Sequence, residues 1–171
     1  KVLLSGILSD TVLLKSPTTT EVDRETVAEL AQLAGVDAME FGMTMFAKAG
    51  SLVSREAREV LAADFKIYNE LSVNVGIGQV ETLTLEDLEE VREPLLRSLE
   101  NLREEKNLDW VMLLVTNVIT EESMLLSSSF PKGEGSLIYK RLGDHLFFLP
   151  GVLSRKKQLL PEVLRVLEEI A

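Results

Sequence analysis

Asp109-Trp110-Val111-Met112-Leu113-Leu114-Val115-Thr116-Asn117-Val118 is a near-continuous apolar run of strand length. A strand open to water on one face alternates apolar and polar residues; one that does not alternate is covered on both faces. The run therefore predicts a strand buried on both sides. Just upstream, Leu85, Leu88, Val91, Leu95, Leu99 and Leu102 recur at spacings of three or four. That is the apolar stripe of a helix, with Thr84 as N-cap, Asp87 in its capping box and an end near Lys106. Pro94 falls inside it and should bend it or remove one backbone bond.

Working outward, Lys66–Leu71 and Ser72–Val80 predict two strands joined as a hairpin near Glu70. Val73, Val75, Ile77 and Gln79 would share one face, and Asn74, Gly76, Gly78 and Val80 the other. Glu122–Ser128 and His145–Leu149 predict further strands, with a turn or flexible loop over 129–136. Leu160, Val163, Leu164 and Leu167 mark a closing amphipathic helix over 159–170. Residues 55–171 thus read strand–strand–helix–strand–strand–strand–helix, an α/β unit whose mixed β-sheet is flanked by helices.

The first 49 residues have a different texture. Residues 2–9 are a short apolar segment that periodicity cannot assign to helix or strand. Pro17 and the threonines after it break regular structure. Thr20 with Asp23 caps a helix ending at Gly35, and Asp37 caps a second one. Ala49-Gly50-Ser51 is a loop, and a short third helix runs to about Ala63. The expected division is a helical piece over 1–49, a linker over 50–54 and the α/β unit over 55–171. Beginning at Lys1 inside an apolar run suggests a removed N-terminus or a fragment.

The counts exclude several chemistries. The 171 residues include no Cys and one His, with 28 acidic and 18 basic residues and a net charge of −10. There is no disulfide, zinc-thiolate or iron–sulfur site, and no multi-histidine metal centre within the chain. The acidity disfavours a nucleic-acid partner, which needs a basic footprint. No apolar run approaches a membrane span and no secretory signal is evident, so a cytoplasmic location is expected.

Against that acidity, Ser154-Arg155-Lys156-Lys157-Gln158 stands out. Consecutive cations follow a strand and turn and open a helix. Helix-start N–H groups would face an anion, and the Arg155 fork suits phosphate oxygens. A solvated basic turn is the bland alternative. Asp10, directly after an apolar run, could bind a hard metal ion or simply cap a turn. Lys66 could reach a phosphate as a point charge or merely protect a sheet edge. His145 beside Asp144 reads as a structural or surface residue, because neighbours on a strand point to opposite faces.

These pieces resemble one known family in order along nearly the whole chain. Ser9-Asp10-Thr11-Val12-Leu13-Leu14-Lys15-Ser16-Pro17-Thr18 is similar to the S-D-[TS]-L-L-F-K-S-P-T segment of the manganese-dependent family II inorganic pyrophosphatases. Asp64-Phe65-Lys66 matches their D-x-K, Gly78-Gln79-Val80-Glu81-Thr82 their A-Q-V-N-T, and Gly151 to Gln158 their G-V-[VL]-S-R-K-K-Q. The resemblance implies a member of the DHH phosphoesterase superfamily. It implies that 1–49 is the end of a truncated DHH domain and 55–171 a DHHA2 substrate-binding domain. It implies Asp10 as a metal ligand and Lys66, Arg155 and Lys156 as phosphate ligands, with Lys157 and Gln158 less defined.

The implied reaction is hydrolysis of pyrophosphate to two phosphates. Mn²⁺ or Co²⁺ (Mg²⁺ being a further option) would generate the hydroxide while cations neutralise the phosphates. The other implied ligands, including the D-H-H motif, would lie upstream of Lys1, so the 171 residues alone should be inactive. A DHH domain and a homodimeric parent are the implied partners. The alternatives are another DHH-superfamily phosphoesterase, acting on polyphosphate or short oligonucleotides, and a non-catalytic phosphate-binding or oligomerisation module.

Overall fold

The buried run at 110–117 forms the middle of the molecule's sheet. In the computed structural model, which describes residues 1–171, every residue of this strand is buried. The strands are β1 (Phe65–Glu70), β2 (Val73–Thr82), β3 (Trp110–Asn117), β4 (Glu122–Ser127), β5 (Lys140–Gly143) and β6 (Leu146–Pro150). They lie in the order β1-β2-β3-β4-β6-β5 as one six-stranded sheet. Only β2 and β3 are parallel; every other neighbouring pair is antiparallel. A parallel pair needs a crossover, and the amphipathic helix α5 (Leu88–Glu105) supplies it.

The sheet is covered on both faces. On one, Ile77, Met112, Leu114, Leu125 and Leu149 pack with Val163, Val166 and Leu167 of the last helix, α6 (Leu160–Ile170). Trp110 stacks on Phe130 at 4.7 Å, and its indole N–H donates to Ser127 Oγ at 2.7 Å. On the other face, Val80, Val111, Leu113, Val115 and Leu126 pack with Leu95 and Leu99 of α5. Val60 and Leu61 of the short helix α4 (Ala57–Ala62) complete that layer.

The hairpin falls where the sequence places it. Leu71 and Ser72 form a two-residue turn with φ of 48° and 64°. Both central residues at positive φ are the signature of a type I′ turn, whose twist matches the strands it joins. Gly76 lets β1 and β2 come together, since a Cβ there would sit 2.3 Å from Phe65 Cζ.

Two expectations need correction. The strand β5 was not foreseen. It is a four-residue edge strand whose first three residues are exposed, so it lacks both the length and the alternation that betray a strand. The helix α5 starts at Leu88 rather than after Thr84. Thr84 Oγ accepts from Glu86 N at 3.1 Å in a preceding turn, while the Asp87 carboxylate is taken by Ser51 Oγ instead of closing a capping box. Pro94 stays inside α5 without ending it.

The chain divides into two compact units, Lys1–Gly50 and Ser51–Ala171. The first is all helical: α1 (Val2–Asp10), α2 (Glu21–Ala34) and α3 (Ala38–Lys48). The ambiguous opening segment is therefore a helix. The capping box of Thr20 and Asp23 is present, and Gly35 closes α2 in the left-handed region at φ 64°. Asp37 Oδ1 accepts from Glu40 N at 2.8 Å to start α3.

Candidate functional site

The register of β1 on β2 sorts the polar residues. Lys66 lies opposite Ile77, and Asp64 O continues the ladder by accepting from Gln79 N at 3.0 Å. Directly opposed residues share a face. Asp64 and Lys66 therefore stand on the same face as Gln79 and Glu81, at the carboxyl end of β2, where open α/β sheets place their ligands.

The basic segment arrives at the same place. β6 ends at Pro150, Gly151 turns the chain at φ 71°, and Arg155–Leu159 form a π-helical turn leading into α6. Gln158 fastens this loop. Its Oε1 accepts from Leu153 N at 2.9 Å and Ser154 N at 3.0 Å, and its Nε2 donates to Gly151 O at 2.8 Å.

Arg155 is buried, with only 5% of its surface exposed. Its Nη2 donates to both Asp64 carboxylate oxygens, at 2.8 and 3.0 Å. Its Nη1 donates to the carbonyls of Asp64 at 2.7 Å and Ile77 at 3.0 Å. Its backbone N–H donates to Gln79 Oε1 at 3.2 Å. These contacts join residues 76 to 91 positions apart, a link no local pattern can show.

The helix start differs from the expected anion cradle. The N–H of Arg155 is spent on Gln79, and that of Lys157 on Ser154 Oγ at 3.2 Å. Two of the N–H groups that would face an anion are therefore already bonded within the protein. Lys66, Lys156 and Lys157 are all exposed around the buried Arg155.

Gln79 and Glu81, which the sequence reading did not single out as candidates, adjoin the Arg155 junction. Gln79 Nε2 donates to Glu81 Oε1 at 2.7 Å. Burial pushes the Glu81 carboxyl above its ordinary range. The Gln79 bond and Arg155 oppose that, and Asp64 adds to it. The clue was available, since both polar residues continue the otherwise apolar face of Val75 and Ile77. Glu81 pairs in register with Thr116, and Thr116 with Ser123. The Ser123 hydroxyl donates to Val152 O at 2.6 Å, so Thr116 is the donor in the 2.9 Å contact between the two hydroxyls.

Asp10 is the last residue of α1 and is exposed. The next turn is unusual: Val12, Leu13 and Leu14 have φ of 50°, 56° and 63°. Left-handed conformation costs a non-glycine residue about 1–2 kcal/mol. Burial of Val12 and Leu13, each 2% exposed, offsets it, as does Thr11 Oγ1, which donates to Ile7 O and accepts from Leu14 N. Strain held by such contacts recurs beside functional residues. No three His, Asp or Glu side chains of the chain converge as a metal site. Asp10 is one carboxylate, and by itself it does not hold a catalytic ion.

His145 lies in the turn just before β6, at φ 59°, rather than on the strand where the sequence reading puts it. Its Nδ1 lies 2.9 Å from Glu134 Oε1, while Asp144 pairs with Arg141.

The DHHA2 domain model matches residues 43–166. The chain is 36% identical over 162 residues to a manganese-dependent inorganic pyrophosphatase of Methanothrix thermoacetophila, covering 93% of this chain and 52% of that protein. It is 36% identical over 166 residues to a cobalt-dependent inorganic pyrophosphatase of Clostridium perfringens, covering 96% of this chain and 30% of that protein. A solved Methanococcus jannaschii structure described as a family II inorganic pyrophosphatase superimposes with a TM-score of 0.86 at 34% identity, covering 98% of this chain and 54% of the other. The chain spans about half the length of most such curated relatives.

Proposed function

Because the chain belongs to the DHHA2 domain family, we propose that it is the phosphate-clamp portion of a metal-dependent inorganic pyrophosphatase, a hydrolase that splits pyrophosphate into two phosphates. On this reading 1–49 is the end of a DHH domain, 50–54 a linker and 55–171 the substrate-binding domain. A DHH domain would be the working partner, in a homodimeric cytoplasmic parent. The observation that supports it is the Arg155–Asp64 junction. In a chain of net charge −10, it joins the Lys66 strand to the Arg155–Lys157 segment.

Each side chain has a task suited to a polyanion. Lys66 and Lys156 present exposed ammonium groups that neutralise phosphate oxygens. Hydrolysis moves charge onto the leaving phosphate, and fixed cations there favour departure. Arg155 offers a planar fork that fits a carboxylate or a phosphate equally. The Asp64 side chain is 51% exposed, so its carboxylate can turn to water as a phosphate takes its place. Gln158 is a positioning residue for the loop. Asp10 would give one carboxylate to manganese or cobalt. One carboxylate does not suffice as a metal site, so the 171 residues alone should not turn over pyrophosphate.

The test is calorimetric titration of the 171-residue chain with inorganic pyrophosphate. Saturable binding is expected, weakened about tenfold or more by Lys156→Ala and by Lys66→Ala, since a hydrogen bond to a charged group is worth about 1.5–3 kcal/mol. Absence of saturable binding, or indifference to both substitutions, would refute the clamp. Stronger binding of tripolyphosphate or a dinucleotide than of pyrophosphate would favour a different phosphoesterase.

A further inference from the structure

We propose that Glu81 sets the anion affinity of this site: it orients Gln79 beneath the basic segment and opposes the ligand's charge, so that affinity rises when Glu81 takes up a proton. The inference rests on the phosphate-clamp reading above.

The geometry begins with an amide. Gln79 has a donor end and an acceptor end, and the structure uses both. Its Nε2 faces Glu81 Oε1 at 2.7 Å, and its Oε1 faces the Arg155 N–H at 3.2 Å. An ionised carboxylate can only accept, so it turns the donor end of Gln79 toward itself. The acceptor end then meets the N–H that opens the basic segment. A protonated Glu81 keeps a carbonyl oxygen for the same bond. Proton uptake thus removes the charge and leaves the orientation intact.

The charges around Glu81 are few. Asp64 of the β1 ladder and Arg155 of the π-helical turn are the charged groups that act on it. Its register partner on β3 is Thr116, which carries no charge. No lysine or arginine forms an ion pair with Glu81 itself, because Arg155 is engaged bidentately by Asp64. Glu81 is therefore a half-buried carboxylate without a direct counter-ion, on the sheet face that also carries Lys66. An incoming polyanion adds like charge to that face and favours the protonated form. Burial already holds the carboxyl above its ordinary value.

The experiment compares wild type with Glu81→Gln, which keeps an acceptor for Gln79 and removes the charge. Pyrophosphate dissociation constants are measured for both from pH 5.5 to 8.5. The ligand's own protonation cancels in their ratio. Glu81→Gln should bind about tenfold tighter at pH 8, the scale of one unit charge acting through a partly screened site. The ratio should fall toward one as pH drops. As a second measurement that needs no variant, the wild-type Glu81 carboxyl carbon is followed by NMR. It should titrate at higher pH with pyrophosphate bound than without. A ratio near one at every pH, weaker binding by Glu81→Gln, or a carboxyl titration that pyrophosphate leaves unchanged or lowers would overturn the proposal. If Lys66→Ala and Lys156→Ala weaken binding while Glu81→Gln changes nothing, only the Glu81 proposal falls. If wild type shows no saturable binding, the clamp falls and this inference with it.

Discussion

The Arg155–Asp64 pair is lopsided, and that asymmetry makes a sharp prediction. The Arg155 side chain is 6% exposed, whereas that of Asp64 is 51% exposed. In Asp64→Asn the guanidinium stays buried with its charge. It loses one acceptor, and an amide N–H2 is placed against a donor. One neutral amide oxygen and the main-chain carbonyls of residues 64 and 77 remain to compensate, with no counter-charge. Stranding a fully buried charge costs about 3–5 kcal/mol, and a charge-assisted hydrogen bond is worth about 1.5–3 kcal/mol. With two carbonyls retained, the cost should be about 2–4 kcal/mol. In Arg155→Met the charge leaves, the stem volume stays, and water re-solvates the half-exposed Asp64. That should cost only about 1–2 kcal/mol, chiefly because the Asp64 and Ile77 carbonyls each lose the Arg155 donor, while Asp64 O keeps the Gln79 N–H.

The order is therefore Asp64→Asn worse than Arg155→Met, with the double variant close to Arg155→Met alone. Urea unfolding followed by fluorescence reads the relevant unit, because Trp110 is the single tryptophan and lies in Ser51–Ala171. In thermal melts each kcal/mol should move the midpoint by roughly 3–5 °C for a unit of this size. If Arg155→Met proves the more damaging change, or Asp64→Asn costs under about 0.5 kcal/mol, the burial argument is wrong.

Other outcomes follow from the same structure. Gly76→Ala should destabilise the sheet unit by about 1–3 kcal/mol in urea titrations, because its Cβ meets Phe65 Cζ and Leu108 Cδ1 at 2.3 and 2.9 Å. Gly35→Ala should cost the helical unit about 1–2 kcal/mol by circular dichroism, since alanine resists a φ of 64°. Burial would raise the Glu162 carboxyl, but hydrogen bonds from Arg165 and from the Ile138 N–H outweigh it and hold the group below its ordinary value. A depressed folded value stabilises above the unfolded value of 4.5 and is lost as pH falls through the folded one. Glu162→Gln should therefore flatten the acid arm of the stability curve below about pH 4.5, read by denaturant midpoints at stepped pH.

Much of the fold was legible locally. The 3.6-residue stripe of α5, the unbroken apolar run of β3, the Thr20–Asp23 capping box and the Gly35 terminus are each set by short-range sterics and hydrogen bonding. The failures have physical causes as well, one local and one distant. β5 is too short and exposed to carry a pattern, and the start of α5 shifted because Asp87 had a distant partner in Ser51. The site was half legible. Lys66, Arg155 and Lys156 were identifiable as charges out of keeping with an acidic chain and by family resemblance. Asp64 as the partner of Arg155 was not, and the Gln79–Glu81 pair was missed although two polar residues interrupt an otherwise apolar strand face.

The sequence by itself determined that this is an α/β chain with a double-covered strand at its centre. It also determined that a cluster of cations interrupts its acidity, because periodicity and charge are properties of neighbouring residues. Which of those cations face solvent was decided only by tertiary structure. Parallel pairing of β2 with β3 and the return of the chain through β6 bring residue 155 against residues 64, 77 and 79. Once there, Arg155 is desolvated and must find acceptors inside the protein, whereas Lys66 and Lys156 stay in water. Like charges in the sequence thus become a buried guanidinium paired to a carboxylate in one case and ammonium groups exposed to water in the others.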